Sequence, residues 1–237
     1  AKYLNTPETA VFKKGRLIYA LNFAKSTKRP NLVLVEGNID VITLHQAGFD
    51  NAVASMGTAL TVEQTRLLSR FTKELVLCYD NDNAGKIATE RALQILNGSE
   101  FSVKVLQLPR RLVDGEYIKQ DADDFIKFQG PDAFERLLNG SENGVEFRMA
   151  QIAGKYDLKD DEARIAYCGE VSELLASLPG AVEREIYTGR AAEAAGITAE
   201  AMKLEVQRSF KRRIAREKRA ELRKNLNPAM ALQPKER

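Results

Sequence analysis

Two acidic clusters, each directly after a run of apolar residues, hold the side chains best suited to chemistry. The first is Leu32-Val33-Leu34-Val35-Glu36-Gly37-Asn38-Ile39-Asp40, and the second is Leu75-Val76-Leu77-Cys78-Tyr79-Asp80-Asn81-Asp82-Asn83-Ala84-Gly85. Each reads as a short buried strand that ends in carboxylates and turns into a helix. Loops at the carboxyl ends of the strands build the site of an open α/β sheet, and Glu36 and Asp80 fall at two such ends. Asp40 follows Glu36 by one helical turn and looks back toward the same crevice. Asp80 and Asp82 share a face if the strand runs on. Asp121 and Asp123 repeat the D-x-D spacing. Grouped oxygen donors suit Mg²⁺ or Mn²⁺ with phosphate oxygens around it. A divalent ion would relieve the repulsion that opposes ionisation of adjacent acids, and so would plain surface exposure.

Competing metal and nucleotide motifs fail on particular residues. Read as an EF-hand, the 80–91 stretch has Ala84 in place of an oxygen ligand and Arg91 where a bidentate Glu belongs. There is no G-x-x-x-x-G-K-[ST] phosphate loop and no G-x-G-x-x-G opening a helix after a strand. With His45 the only histidine and Cys78 and Cys168 far apart, no zinc site is expected. His45, mid-helix among apolar neighbours, reads as structural.

The elements that must position these acids alternate from residue 32 onward. Strands are predicted at Leu32–Val35, Ala52–Ser55, Leu75–Tyr79 and Val103–Leu108, with helices at Ile39–Ala47 and Ala84–Leu96 between them. Thr61 with Gln64 forms a capping box for a further helix. The strands lack polar alternation, as in a parallel sheet covered on both faces. Asp121 opens a helix to about Gln129, Pro131–Leu138 is another, and Gly140–Gly144 reads as a hinge. Helices then follow at Val145–Tyr156, Asp161–Ser177 and Val182–Ala195, with a long one from Thr198 to about Lys224, packed through stripes such as Ile165, Cys168, Val171 and Leu175. A short helix is also predicted over Leu17–Ala24. The fold class is thus α/β, a parallel sheet flanked by helices, followed by an all-α subdomain. The expected divisions are 1–30, 31–140, 141–224 and a polar tail, 225–237.

A net charge of +3 hides an asymmetry. Residues 1–30 carry seven basic against one acidic side chain, residues 31–207 carry 18 against 29, and residues 208–224 carry nine against two. An acidic middle between basic flanks fits a metal site with surfaces for nucleic acid, although a basic helix is often simply solvated. No apolar run nears the roughly 18 residues of a membrane span, and no signal peptide is evident, so a cytoplasmic setting is expected. Ala1 in place of Met, and the Pro-containing tail, suggest a piece of something longer.

E-G-x-x-D followed by D-x-D-x-A-G in an α/β unit resembles the Toprim domain. The flanks narrow the likeness. Lys2-Tyr3-Leu4-Asn5-Thr6-Pro7-Glu8-Thr9, Phe12-Lys13-Lys14-Gly15-Arg16, Val53-Ala54-Ser55-Met56-Gly57-Thr58 and Asp121-Ala122-Asp123-Asp124-Phe125-Ile126 resemble segments of bacterial DNA primases of the DnaG type. The helical stretch around Val182–Tyr187 is similar too. Asn38, Asn81, Lys13 and Ala122 depart from the family pattern, but no carboxylate is lost. The resemblance implies RNA primer synthesis from NTPs on single-stranded DNA, with Glu36, Asp80 and Asp82 catalytic and Mg²⁺ or Mn²⁺ held by Glu36, Asp40, Asp80, Asp82, Asp121 and Asp123. It places nucleotide or template contacts on Lys2 and Lys14, with Arg16 and Lys86 added from the basic segment and the second acidic loop. It also implies a replicative helicase partner that binds through a C-terminal domain absent from this chain, and no zinc in this part. A Toprim nuclease and a DNA-binding scaffold with an inactive site are the competing readings.

Overall fold

The computed structural model describes residues 7–10, 12–57, 59–113 and 115–226. Lys2, Thr58 and the expected tail beyond 226 lie outside the described residues. Two compact units divide the chain after Arg148, and each is described by itself.

The first unit is built on a six-stranded sheet: β1 (Ile18–Tyr19), β2 (Asn31–Val35), β3 (Ala52–Ser55), β4 (Glu74–Cys78), β5 (Ser102–Val105) and a late strand, Glu142–Asn143. The order runs β1-β3-β2-β4-β5 and then the late strand. The four central strands are parallel, whereas both edge strands are antiparallel. The parallel core matches the sequence reading and the edges correct it. The first half of the helix predicted over Leu17–Ala24 is instead β1, because Ile18 and Tyr19 pair with Ser55 and Ala54. Only Leu21–Ala24 is helical (α1). The expected hinge at Gly140–Gly144 likewise contains the late strand.

Leu32 and Leu34, Leu75 and Leu77 point to one face of the sheet, and Val33 and Val35, Val76 and Cys78 to the other. Each face is covered. α3 (Val62–Leu68) and α4 (Asn83–Leu96) bring Leu68, Ala92, Leu93 and Leu96 to the first. α2 (Asn38–Gln46), α5 (Ala122–Gln129) and α6 (Pro131–Asn139) bring Leu44, Phe125, Phe134 and Leu138 to the second. Each such leucine or phenylalanine contributes about 1.5–3 kcal/mol when fully buried. Thr61 and Gln64 complete their capping box, and Gln64 Nε2 also donates to the carbonyls of Lys14 and Leu17. His45 bonds through Nε2 to the Ala52 carbonyl at 2.9 Å, which agrees with a structural role.

Between β5 and α5 lies an antiparallel pair, β6 (Arg111–Val113) and β7 (Glu116–Ile118). Neither strand is among those predicted from the sequence. The late strand of the main sheet is β8, and α7 (Gly144–Ala153) follows it and contains the boundary between the units.

The second unit holds α8 (Asp161–Ser177), α9 (Ala181–Ala195) and α10 (Ala199–Leu226). Asp160 caps α8, and Thr198 Oγ1 accepts from Ala201 N at the start of α10. Tyr167, Val171, Leu174 and Leu175 of α8, Ala191, Ala192 and Ala195 of α9, and Met202 and Val206 of α10 are buried. Ile165, expected in the buried stripe, is 73% exposed. Tyr167 takes the interior face instead, and a side chain two positions away on a helix points elsewhere. Among the described residues no helix is long and apolar enough to cross a membrane.

Gly85 has a special place in this fold. A Cβ there would sit 2.0 Å from the Asp80 carbonyl oxygen, so the acidic loop can turn back on α4 only over a glycine. Gly→Ala inside a helix ordinarily stabilises by about 1 kcal/mol. Gly85→Ala is expected to do the reverse and destabilise by roughly 2–4 kcal/mol in urea denaturation, because backbone must move. A variant as stable as the parent would show that the 80–85 turn has a different shape.

Candidate metal centre

β2 and β4 are neighbours in parallel register, with Val35 opposite Cys78. The residues that follow therefore emerge side by side at one edge of the sheet. Glu36 Oε1 accepts a hydrogen bond from the Asp80 backbone N–H at 3.1 Å, which ties the two acidic loops together directly.

Asp40 lies in the first turn of α2 and is 7% exposed. Its Oδ2 accepts from Gly37 N at 3.0 Å and its Oδ1 from Asp123 N at 3.1 Å. The first bond explains the glycine of E-G-x-x-D, since a Cβ on Gly37 would come within 2.7 Å of Asp40 Oδ2. The second fastens the 121–124 turn to the first acidic loop. Asp123 accepts from Thr43 Oγ1 at 2.5 Å and pairs with Lys127 at 2.6 Å.

Two of the predicted ligands are also helix caps. Asp82 Oδ1 accepts from Gly85 N at 2.8 Å at the start of α4, and Asp121 Oδ1 accepts from Asp124 N at 2.8 Å at the start of α5. Such caps satisfy orphan N–H groups at the helix start. Asp121, Asp123 and Asp124 each offer a carboxylate oxygen within 4.8 Å of the others. Asp124 escaped the sequence reading because D-x-D spacing passes over it.

Lys119 was missed as well. It follows β7, and its Nζ lies 2.9 Å from Asp82 Oδ2 and 3.6 Å from Asp80 Oδ2. No spacing rule links positions 80 and 119, so only the β6–β7 fold reveals the pair. Lys14 and Arg16 lie in a 3₁₀ turn, where Lys14 N donates to Glu8 Oε1 at 2.9 Å. Lys86 is exposed in the first turn of α4. None of the three forms an ion pair with the acidic cluster among the described residues. Beside Glu36 a cleft of about 400 Å³ is lined by Ser55, Leu60, Tyr79, Ile87, Ala88 and Arg91 among others.

Electrostatics follow from this crowding. Burial, then the Asp80 charge, raises the Glu36 carboxyl above its usual range. Burial also raises Asp80, with Asp121 and Asp82 adding to the effect and Lys119 opposing it. Asp40 is pushed up to about 7, chiefly by burial and then by Asp121, against its two backbone hydrogen bonds. Asp82 goes the other way, held low by the Gly85 N–H and then by Lys119. Lys119 is in turn raised by its bond to Asp82. Three acids that resist ionisation beside Asp82, which is held anionic, with a lysine already drawn in, form a donor set that a divalent cation fits.

Residues 33–126 match the family model described as Toprim-like, and residues 145–200 match that of the DnaB-helicase binding domain of primase. The fold and the carboxylate edge thus define a Toprim-type protein. The DNA primase of Clostridium acetobutylicum is 39% identical over 202 residues, which is 85% of this chain and 32% of that protein. A DNA primase domain from Pseudomonas aeruginosa superposes with TM-score 0.71 at 32% identity, over 87% of this chain and 64% of the other. The DnaG primase catalytic domain bound to ssDNA gives TM-score 0.71 at 31% identity, over 84% and 62%. The chain belongs to the DnaG-type family of bacterial DNA primases. It spans about a third of the length of the curated relatives it matches. The 145–200 match falls within the helical stretch, where the sequence reading had placed no helicase-binding part; that expected absence does not stand.

The raised acids have a consequence for stability. An Asp40 that binds its proton more tightly folded than unfolded stabilises the fold fully below its ordinary value near 4, and that contribution is lost as pH rises through about 7. Metal-free protein is expected to lose roughly 2–3 kcal/mol between pH 5 and pH 8 on this account, with Glu36 and Asp80 acting in the same direction. Millimolar Mg²⁺ should restore the loss. Chemical denaturation at several pH values checks this, and stability that is flat or rising over that window would contradict it.

Proposed function

We infer that the chain is the metal-binding part of a primase catalytic core, which makes RNA primers from NTPs on single-stranded DNA. The observation that carries the reading is the Glu36–Asp80 link, which brings acids 44 residues apart to one sheet edge. Glu36, Asp80 and Asp82 would hold Mg²⁺ or Mn²⁺, with Asp121 and Asp123 beside them near the triphosphate. In the reaction the 3′-hydroxyl of the primer attacks the α-phosphate of the incoming NTP and pyrophosphate leaves. A divalent ion supplies a lower hydroxyl pKa and neutralises charge on the transferring group.

The protein's own side chains would act by position. Asp40, with both oxygens engaged by backbone N–H groups, serves better as the fastener of the 121–124 turn than as a free ligand. Asp82 and Asp121 keep one oxygen each beyond their capping bonds. Lys14, Arg16 and Lys86, together with Lys2, would meet the triphosphate or template, making affinity steeply salt-dependent. A related catalytic domain has been described bound to ssDNA, which supports the template assignment. The match at 145–200 supports contact with the replicative helicase through the helical residues. The setting would be the bacterial cytoplasm.

Glu36→Gln and Asp80→Asn, each in the intact primase, are expected to lower primer synthesis by roughly 100-fold or more and to weaken Mg²⁺ binding in calorimetry. The fold should persist, since each change removes a charge from a crowded edge. Wild-type synthesis by either variant would overturn the assignment.

A further inference from the structure

Leu112 and Tyr117 are directly opposed across β6 and β7, so they share one face of the pair. They are 58% and 69% exposed. The other face carries Arg111 and Ile118 in the same register, and there the Arg111 guanidinium lies 3.6 Å from the centre of the Phe128 ring. A two-stranded pair is marginal alone, so that stack helps hold the hairpin while its opposite face stays open. Lys119, two residues past Tyr117, reaches Asp82 and Asp80. In extended chain, residues two apart lie on one side, so Tyr117 shares its side of the chain with the lysine that reaches the carboxylate edge.

We propose that the Tyr117–Leu112 face is a stacking surface for a nucleobase whose phosphates lie at the carboxylate edge. The proposal rests on the primase reading. An aromatic ring accepts any base on its π-face and has few torsions to freeze. The exposed area is one ring and one leucine, far below the roughly 1,000 Å² of a protein interface but matched to a single base. The neighbouring charges also suit a phosphodiester or triphosphate. Lys119 lies beyond the ring and Arg110 precedes β6, while Glu116, adjacent to Tyr117 in the strand, alternates to the other side. The base belongs either to the DNA strand or to the incoming nucleotide, and the two are separable.

The chain has no Trp, so Tyr117→Trp introduces a single indole at the spot in question. This variant is titrated with oligothymidylate and, separately, with GTP and Mg²⁺, while binding is followed independently by anisotropy of labelled oligonucleotide and by calorimetry. Stacking is expected to quench the indole in one arm, and the arm that quenches identifies the source of the base. Tyr117→Ala should weaken binding of that same probe by about 5- to 100-fold, with Mg²⁺ affinity unchanged. If both probes bind without quenching and Tyr117→Ala binds like the parent, the stacking surface is refuted and the primase reading stands. If the parent chain binds neither probe, the stacking surface is refuted, and primer synthesis by the intact primase still decides the primase reading.

Discussion

Carboxylates crowded at a partly buried edge repel one another, and the fold of the first unit answers that repulsion with backbone N–H groups. Asp80 N donates to Glu36, Gly37 N and Asp123 N to Asp40, Gly85 N to Asp82, and Asp124 N to Asp121. Each donor is fixed by a strand end or a helix start, so little conformational entropy is lost in aiming it. The donors do not fully compensate. Glu36, Asp40 and Asp80 remain harder to ionise than ordinary acids, and the residual strain is what a cation would relieve.

The same constraint accounts for the two glycines. Gly85 permits the Asp80 carbonyl to lie against α4, and Gly37 permits the Asp40 carboxylate to reach its own helix start. A side chain at position 85 would force the backbone of the turn apart, whereas one at position 37 would press on the Asp40 carboxylate. The parallel strands matter for a related reason. Since β2 and β4 run the same way in register, both acidic loops must leave the sheet at one edge, and covering both faces with helices leaves that edge as the open approach.

Much of this was legible in the sequence, and the reasons are physical. Apolar runs that stop abruptly at carboxylates mark buried strands, and Thr61, Asp121 and Thr198 announce helices because caps are local chemistry. The edge strands were not legible. Ile18–Tyr19 and Glu142–Asn143 are two residues long, too short for any periodicity, and they exist only because β3 and β5 present free edges. β6 and β7 failed for another reason: their pattern, with Leu112, Tyr117 and Ile118 all exposed, is not that of a strand with a buried side. Lys119 was hidden with them. On α8 the apolar Ile165 looked like core, but a helix has one interior face and Tyr167 occupies it.

Counting oxygens separates roles that residue type alone merges. A carboxylate has two, and the structure shows how many are already engaged. Asp40 has given both to the backbone and is buried, so its contribution is to hold two loops at a set distance. Asp82 and Asp121 have each given one to a capping bond. Asp82's second oxygen is the one that Lys119 meets, and the same ammonium lies near Asp80. A monovalent cation on a flexible stem thus sits where the acids concentrate charge. A divalent ion competes for those oxygens with twice the charge and no side-chain entropy to lose, so electrostatics favours exchange.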